Sequence, residues 1–389
     1  MRILLSCQQA TRKHPVPAYD FWENYLKKGI EEAGHEWVEV PGVDWAEGLV
    51  YLEDSDREAL KAWRDRTWNQ TVSYIKQQHQ NKQFDFFLSY LFPKQVEPTA
   101  VEEIKSLGIP CVNFFCDNVR EFKRVAKEFY CFDLHWVPEF KALPMYKQAK
   151  LNYIFAPMPL WIPTHQRTCE HSENYGVSFI GSRDVQREAL FAQVIKYGLN
   201  VEIRGAAWSS SDSVINNVKS AKSLGTTVLN QWRFFNKMGF QPFIRKITEK
   251  YQPKIAPNTF DKYVREKPNA EKYVEITQQS IITLGVNRYP SYRYPFNKPD
   301  TYSRLRDLEA PMMGACYLTE WTEGLDQLYE LGEEIETYRT AQEMVEKIQQ
   351  LKVDSDQRKK MRCQGQKRAL AEHTIPQSLA KITNYLGIK

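Results

Sequence analysis

Two arginines and a glutamate stand close together in the sequence, as Arg304, Arg306 and Glu309. Apolar residues at helical spacing predict a helix over residues 305–313, and Arg306 and Glu309 share one face near its start. An arginine fork suits a phosphate, a helix start adds N–H donors, and a carboxylate one turn along can accept both hydroxyls of a ribose. The pattern favours a nucleoside diphosphate site, although a surface Arg–Glu pair has the same spacing.

The elements around these side chains alternate between helix and strand. Gly314 ends the predicted helix, a short apolar strand follows at residues 315–318, and a polar loop follows at 320–324. Gly332 ends the next helix, and residues 335–338 form a predicted edge strand. This alternation is typical of a parallel sheet, in which the strand ends position the arginines and the glutamate.

The same stretch resembles the C-terminal half of the CgeB-like (spore maturation protein-like) glycosyltransferases, which are similar to the GT-B class of transferases. The resemblance rests on R-x-L-E-A-P-M-M-G-A-C-Y-L-T-E, followed by L-G-E-E-I-E-T-Y and a helix. The matching residues are Arg306, Leu308, Glu309, Gly314, Glu320, Gly332, Glu334 and Tyr338. The resemblance implies an α/β fold of two Rossmann-like, doubly wound domains facing a cleft. It also implies an enzyme that moves a sugar from a nucleotide-sugar donor to an acceptor hydroxyl on a glycan, lipid-linked sugar, protein or small molecule.

The chain of 389 residues is long enough for two domains with separate cores. We expect a Rossmann-like acceptor domain at residues 1–160 and, after a cluster of prolines, a linker at 161–174. A nucleotide-sugar domain is expected at 175–370, with a helical insertion at about 209–269. The resemblance implies that a last helix, within 371–389, packs back on the N-terminal domain.

Two further segments contain candidate donor-binding residues. The strand that opens the second domain leads into the turn Gly181-Ser182, and Arg187 lies one turn into the following helix. Glycine lets a ligand approach the backbone and the helix start favours an anion, but a plain βα connection also uses Gly and Ser. A later strand resembles the family's S-K-I-x-L-x-x-N segment, which implies that Asn287 and Arg288 lie beside the donor.

Asp117 and His14 are the candidate catalytic residues of the first domain. Asp117 follows a predicted strand at residues 112–115, and open α/β sheets bind ligands at the carboxyl ends of their strands. It would act as general base or orient the acceptor hydroxyl, or else cap the helix that begins near Arg120. His14 follows the first strand, where several GT-B enzymes keep a base, but a loop histidine is also an ordinary surface residue.

Residues 215–254 combine eight Lys or Arg residues with one Glu and interleaved aromatic side chains. One interpretation is a surface for an acidic acceptor, a polymer or anionic lipid, centred on Trp232, Arg233 and Lys237. The other is a helical insertion with an aromatic core and a solvated basic face. The first predicts a peripheral contact with the inner face of a membrane or with a polymer.

Several classes of function are not indicated. The net charge of +5 is too small to call for nucleic acid, and no G-x-G-x-x-G motif indicates a nicotinamide or flavin. No D-x-D tripeptide stands out at a strand end, so we expect neither a metal nor another cofactor. Seven scattered cysteines without C-x-x-C predict reduced thiols in the cytoplasm. No apolar run approaches the roughly 18 residues that span a membrane.

Two other functions remain open from the sequence. An inactive sugar- or nucleotide-binding protein of the same fold would keep Arg306 and Glu309 but lack a base. A GT-B nucleotide-sugar epimerase needs a histidine near the phosphates, and the second domain offers none at its strand ends. Many retaining GT-B enzymes carry a Glu eight residues before the ribose Glu, where this chain has Thr301. The donor-sugar contact, the retaining or inverting outcome and the oligomeric state are therefore unassigned.

Overall fold

The computed structural model describes residues 1–11, 17–209, 255–289 and 299–388. The chain divides into two compact units. The first, called unit 1, comprises Met1–Pro163 and Arg368–Lys389, and the second, unit 2, comprises Thr164–Lys367. His14, Trp232, Arg233 and Lys237 lie outside the described residues. In the described part of the chain, no helix is both long and apolar enough to cross a membrane.

Unit 1 is built on a sheet of six parallel strands in the order β2-β1-β3-β4-β5-β6. The strands are β1 (Arg2–Cys7), β2 (Glu36–Val38), β3 (Phe86–Tyr90), β4 (Cys111–Phe114), β5 (Leu134–Val137) and β6 (Tyr153–Phe155). The inner strands are apolar runs because helices cover both faces of such a sheet. All residues of β1, β3, β4 and β5 are buried.

Helices of unit 1 follow the strands in the alternation that the sequence predicts. They are α1 (Pro17–Glu32), α2 (Arg57–Asn81), α3 (Pro98–Ser106), α4 (Asn118–Glu121), α5 (Leu143–Ala149) and the chain's last helix, Ile375–Leu386. The last helix packs on α1, and Gly29 makes this approach possible. A Cβ atom at Gly29 would overlap the side chain of Ile375. The C-terminal segment is thus part of the core of unit 1.

Unit 2 contains a second sheet of six parallel strands, in the order β12-β11-β10-β7-β8-β9. The strands are β7 (Tyr175–Ile180), β8 (Glu202–Arg204), β9 (Val264–Arg265), β10 (Ser280–Leu284), β11 (Tyr317–Glu320) and β12 (Glu336–Tyr338). Its described helices are α6 (Val185–Lys196), α7 (Ala270–Gln279), α8 (Arg306–Met312), α9 (Leu325–Leu328), α10 (Ala341–Val353) and most of α11 (Ser355–Glu372), which continues past Lys367 into unit 1. The last helix of the chain is α12. Two parallel sheets confirm the predicted α/β class.

Three local predictions need correction. The predicted insertion at 209–269 is not helical at its end, because Val264–Arg265 forms the edge strand β9; residues 210–254 lie outside the described residues. The predicted polar loop at 320–324 starts one residue later, since Glu320 ends β11 and is buried. Cys169 and Cys363 form a disulfide, so the prediction of seven reduced thiols is wrong. They are 194 residues apart and share no motif.

The contact between α1 and α12 predicts that Gly29→Val destabilises unit 1. The new side chain must displace Ile375, and overpacking of this kind costs about 1–3 kcal/mol. Unfolding in urea, followed by circular dichroism, should show a lower midpoint. Asn24→Val is the matched control, because Asn24 is exposed on the same helix. Equal midpoints for the two variants would contradict the packing of α12 on α1.

Candidate functional site

Glu309 and Arg306 lie on α8 and both contact Tyr273 of α7. The Tyr273 hydroxyl donates a hydrogen bond to Glu309 Oε2, and the Arg306 guanidinium lies over the tyrosine ring, with Cζ 5.0 Å from its centroid. Nη1 of Arg306 is buried and has no acceptor among the described residues. The two residues are therefore not a solvated surface pair: the arginine is stacked and desolvated, and the carboxylate is fixed by a tyrosine.

Arg187 lies near the start of α6 and is held close to the sheet edge. Its Nη1 donates to the carbonyl of Ser182 at 2.8 Å. Its Nε is 3.4 Å from Asp184 Oδ2 but makes no hydrogen bond. Asp184 itself caps α6, accepting from the backbone N–H groups of Gln186 and Arg187 at 2.9 and 3.2 Å. Because Asp184 also caps the helix, its carboxylate neutralises the positive charge of Arg187 only in part.

Arg187, Arg304 and Arg306 converge at one place. Burial lowers the pKa of Arg187, and the positive charges of Arg304 and Arg306 lower it further, while Asp184 opposes them. Arg304 donates to the carbonyl of Arg288 and lies over the ring of Tyr302, yet its Nε is buried without an acceptor. Each of the three guanidiniums thus has one buried N–H without a hydrogen-bond acceptor in the described part of unit 2. We call them the arginine cluster.

The Gly181–Ser182 turn brings strands β7 and β8 together beneath Arg187. Gly181 N–H donates to the carbonyl of Arg204 at 2.8 Å. Gly205 has φ +146°, and a Cβ atom there would overlap the Gly181 carbonyl. A Cβ at Gly181 would lie 3.3 Å from Arg187 Nη1. Gly181 and Gly205 therefore allow their backbones to approach each other closely, and Gly181 leaves room for the Arg187 guanidinium. The side chain of Ser182 is exposed.

Asp307 is a site residue that the sequence analysis missed. It is completely buried at the start of α8, and donors from several elements surround its carboxylate. These donors are Asn287 Nδ2, Ser303 Oγ and Arg304 N at 3.0 Å, Tyr317 OH at 2.8 Å and Thr319 Oγ1 at 3.0 Å. Burial raises the pKa of Asp307 and these hydrogen bonds oppose the rise. The network fixes the backbone that carries Arg304 and Arg306.

Asn287 and Arg288 lie at the end of β10 and make internal contacts. Asn287 Nδ2 donates to Asp307 and, at 2.8 Å, to the carbonyl of Glu320. Arg288 Nε donates to Glu320 Oε1 at 2.7 Å, and its Nη1 donates to the carbonyl of Gln186 at 3.3 Å. Burial raises the pKa of Glu320, and Arg288 opposes that rise. Arg288 is thus neutralised by an acid, unlike the arginine cluster that it supports.

All eight candidate donor-binding residues are connected through these contacts at one edge of the unit 2 sheet. The sequence analysis did not identify Asp307 or Tyr273 among them. An aspartate in the first turn of α8 was a weak signal for Asp307, and Tyr273 had no local signal because its partners are more than thirty residues away. Among the described residues, no group of three or more His, Cys, Asp or Glu side chains could hold a metal ion.

In unit 1, Asp117 follows β4 but does not cap α4. It makes no capping hydrogen bond, so the capping alternative is wrong. Glu139 caps the helix instead: its Oε2 accepts from the N–H groups of Asn118 and Val119 at 2.6 and 3.3 Å. Burial raises the pKa of Asp117, and Arg120 opposes the rise. The sequence analysis missed Glu139, which follows the adjacent strand β5.

Comparisons with known proteins agree with this architecture. Residues 186–384 match the family model described as glycosyl transferase-like. HepE from Anabaena, solved with UDP, has a TM-score of 0.55 and 10% identity over all of both chains. A glycosyltransferase from Rickettsia africae has a TM-score of 0.54 and 10% identity, covering 99% of this chain and 97% of its own.

The sucrose-phosphate synthase of Thermosynechococcus elongatus has a similar architecture. Its TM-score is 0.52 at 13% identity, covering 99% of this chain and 98% of that one. Such low identities show the fold alone. A search of curated proteins finds no match. The matched family model and the two doubly wound units together show that the chain belongs to the glycosyl transferase-like family and is a glycosyltransferase with the GT-B fold.

Proposed function

We propose that this glycosyltransferase takes its sugar from a nucleotide-sugar donor, whose diphosphate binds the arginine cluster of unit 2. The acceptor is a hydroxyl group, and its reaction releases the nucleoside diphosphate. The motif residues on α8 and β11 support a finer assignment to the CgeB-like branch. HepE, which has the same fold, has been solved with UDP and with UDP-glucose, so a uridine nucleotide is the first donor to test.

The arginine cluster is the observation that carries this proposal. A buried N–H group without an acceptor costs about 1–3 kcal/mol, and the cost is higher for a charged group. Arg187, Arg304 and Arg306 each have such a group, and the positive charges of Arg304 and Arg306 act on Arg187. Diphosphate oxygens would accept from these groups and neutralise the mutual repulsion. Because charge grows on the leaving diphosphate in the transition state, the same contacts would lower the barrier to sugar transfer.

Glu309 is proposed to bind the ribose. Tyr273 occupies Oε2 and thereby fixes the orientation of the carboxylate. Oε1 then remains as an acceptor for the ribose hydroxyls, one helical turn from Arg306. The tyrosine contact therefore preorganises the glutamate, which reduces the entropy lost when the nucleotide binds.

The proposal also covers whether a metal takes part in the transfer and which residue is the general base. Three guanidiniums can supply the positive charge that a divalent ion would otherwise provide, so we propose transfer without a metal. Asp117 is proposed as the general base on the acceptor side. The alternative base, His14, and the acceptor or membrane surface around Trp232, Arg233 and Lys237 remain predictions from the sequence, as does the cytoplasmic location.

Glu309→Ala should lose the stabilisation that a nucleotide gives to the wild type. We expect one member of a panel of UDP-glucose, GDP-mannose, dTDP-glucose and CMP-N-acetylneuraminate to raise Tm in a thermal-shift assay. Removal of a charged hydrogen-bond partner should weaken binding of that nucleotide by about tenfold or more. Glu346→Ala, on the exposed face of α10, serves as the control. A full shift in Glu309→Ala would contradict the ribose contact, and no shift in the wild type would contradict the donor class.

Arg187→Gln should separate the stability of the free protein from its affinity for nucleotide. Because burial and the neighbouring arginines disfavour the charged form of Arg187, its removal should leave Tm of the free protein unchanged or higher. The loss of a charge-assisted contact to phosphate should weaken UDP binding by about 1.5–3 kcal/mol, or about 10- to 150-fold. Isothermal titration calorimetry at several salt concentrations measures this loss.

Arg265→Gln is the matched control for this variant, because Arg265 is an exposed arginine of the same unit. It should bind UDP like the wild type. Equal affinities in Arg187→Gln and the wild type would show that the arginine cluster is not the diphosphate site. A large fall in Tm of free Arg187→Gln would show instead that the cluster is a structural element of the fold.

A further inference from the structure

Two carboxylates lie side by side at one edge of the unit 1 sheet. Asp117 follows β4 and Glu139 follows β5, and these neighbouring parallel strands pair with Phe114 opposite Trp136. Both acids therefore leave the sheet at its carboxyl edge, where open α/β sheets bind their ligands. The proximity is tertiary in origin, since 22 residues separate the two acids in the chain.

Glu139 is buried and bound to the turn that carries Asp117. Only 4% of Glu139 is exposed, and its Oε2 accepts from the backbone N–H groups of Asn118 and Val119. These are the first two residues of α4, so Glu139 performs the capping role that the residue before the helix usually performs. As a result the Asp117 side chain is not used for the cap, and 31% of it is exposed to solvent.

Further contacts make the turn around Asp117 rigid. The Asn118 side chain donates to the carbonyl of Phe115 at 2.8 Å and accepts from the Tyr146 hydroxyl at 2.8 Å. Asn118 and Tyr146 are both buried. The backbone on each side of Asp117 is thus tied to β4, to α5 and, through Glu139, to the end of β5. Such a turn holds one side chain in a fixed direction.

One oxygen of Glu139 is not explained by capping. Oε1 is buried and has no hydrogen-bond partner among the described residues. Burial is the main cause that raises the pKa of Glu139, to about 7, and the charge of Asp117 adds to it. The other titratable groups that face Glu139 are the Cys116 thiol and the Tyr146 hydroxyl. Burial therefore favours the protonated form of Glu139, which limits its repulsion of Asp117.

We propose that Glu139 is a positioning residue for the transfer reaction, one that caps α4 in place of Asp117 and so presents the Asp117 carboxylate to the acceptor hydroxyl. This inference rests on the proposed function, in which Asp117 takes the proton of the acceptor. Glu139 touches neither substrate. It acts through the backbone of residues 117–119, whose N–H groups it binds.

The test measures hydrolysis of the four nucleotide sugars of the panel, with water as the acceptor. Asp117→Asn should lower kcat by about 100-fold or more, as expected for loss of a general base. Glu139→Ala should lower kcat by about 100-fold, the loss that a misplacement of about 1 Å causes, with KM for the donor unchanged. Glu139→Gln should restore most of kcat, because its amide oxygen can accept the same two N–H groups.

The charge of Glu139 provides a second readout. Its pKa is higher in the folded than in the unfolded chain, so the folded state binds more protons between about pH 4.5 and 7, and stability falls as pH rises through that window. Glu139→Gln removes this loss. The difference in Tm between Glu139→Gln and the wild type should therefore increase, in favour of the variant, from pH 5 to pH 8.

Glu121→Gln is the matched control, since Glu121 is an exposed acid of the same short helix, and it should hydrolyse the donor like the wild type. A wild type that neither binds nor hydrolyses any of the four sugars would overturn the proposed function. A wild type that hydrolyses one of them, with Glu139→Ala equally active, would overturn only this inference, whereas an equally active Asp117→Asn would also remove Asp117 as the proposed base. Failure of Glu139→Gln to restore kcat would also overturn it.

Discussion

The repulsion that Arg304 and Arg306 exert on Arg187 is the interaction on which the candidate site of unit 2 depends. Like charges that are partly removed from water do not remain together unless other contacts hold them. The structure supplies these contacts one by one: the Ser182 carbonyl for Arg187, the Arg288 carbonyl for Arg304, and the ring of Tyr273 for Arg306. The fold therefore holds Arg187 beside two like charges, whereas Tyr273, Glu309 and Asp307 favour the charged form of Arg306.

Asp307 is the centre of this arrangement because it joins the backbone that carries Arg304 and Arg306 to the end of β10 and to β11. A buried carboxylate is costly unless its hydrogen bonds are satisfied, and here donors from β11, from the end of β10 and from the segment before α8 satisfy it. Its charge also favours the charged form of Arg306. The acid is too buried to bind an anion or a sugar, so its contribution is the position of its neighbours.

The strand-end rule explains why the candidate donor-binding residues chosen from the sequence lie together in the structure. Gly181 and Arg187 follow β7, Arg288 follows β10, and Arg306 begins the helix between β10 and β11. Strand ends and helix starts of this kind meet at the carboxyl edge of a parallel sheet. The partners were not predictable in the same way. Tyr273 and Glu139 are ordinary helix and loop residues in the sequence, and only the packing of their elements brings them to Glu309 and to α4.

Two wrong predictions have a related cause. Glu320 was assigned to a loop because a charged residue rarely ends a buried strand. It does so here because Arg288, from the neighbouring strand end, neutralises it. The disulfide of Cys169 and Cys363 joins the start of unit 2 to α11, and no short-range pattern links two residues so far apart. In both cases the deciding partner is distant in the chain.

The two units differ in the sign of the charge at their sheet edges, and this difference fits the proposed reaction. The edge of unit 2 carries Arg187, Arg304 and Arg306, each with a buried N–H group that has no acceptor among the described residues, which suits a leaving group that gains negative charge. The edge of unit 1 carries Asp117 and Glu139, which suits an acceptor that loses a proton. The same parallel-sheet architecture produces both edges. The ends of the strands determine where the side chains lie, and the residue types in the turns determine the charge of those side chains. In the proposed reaction, the turn residues, rather than the strands, would therefore determine which half of the reaction each unit serves.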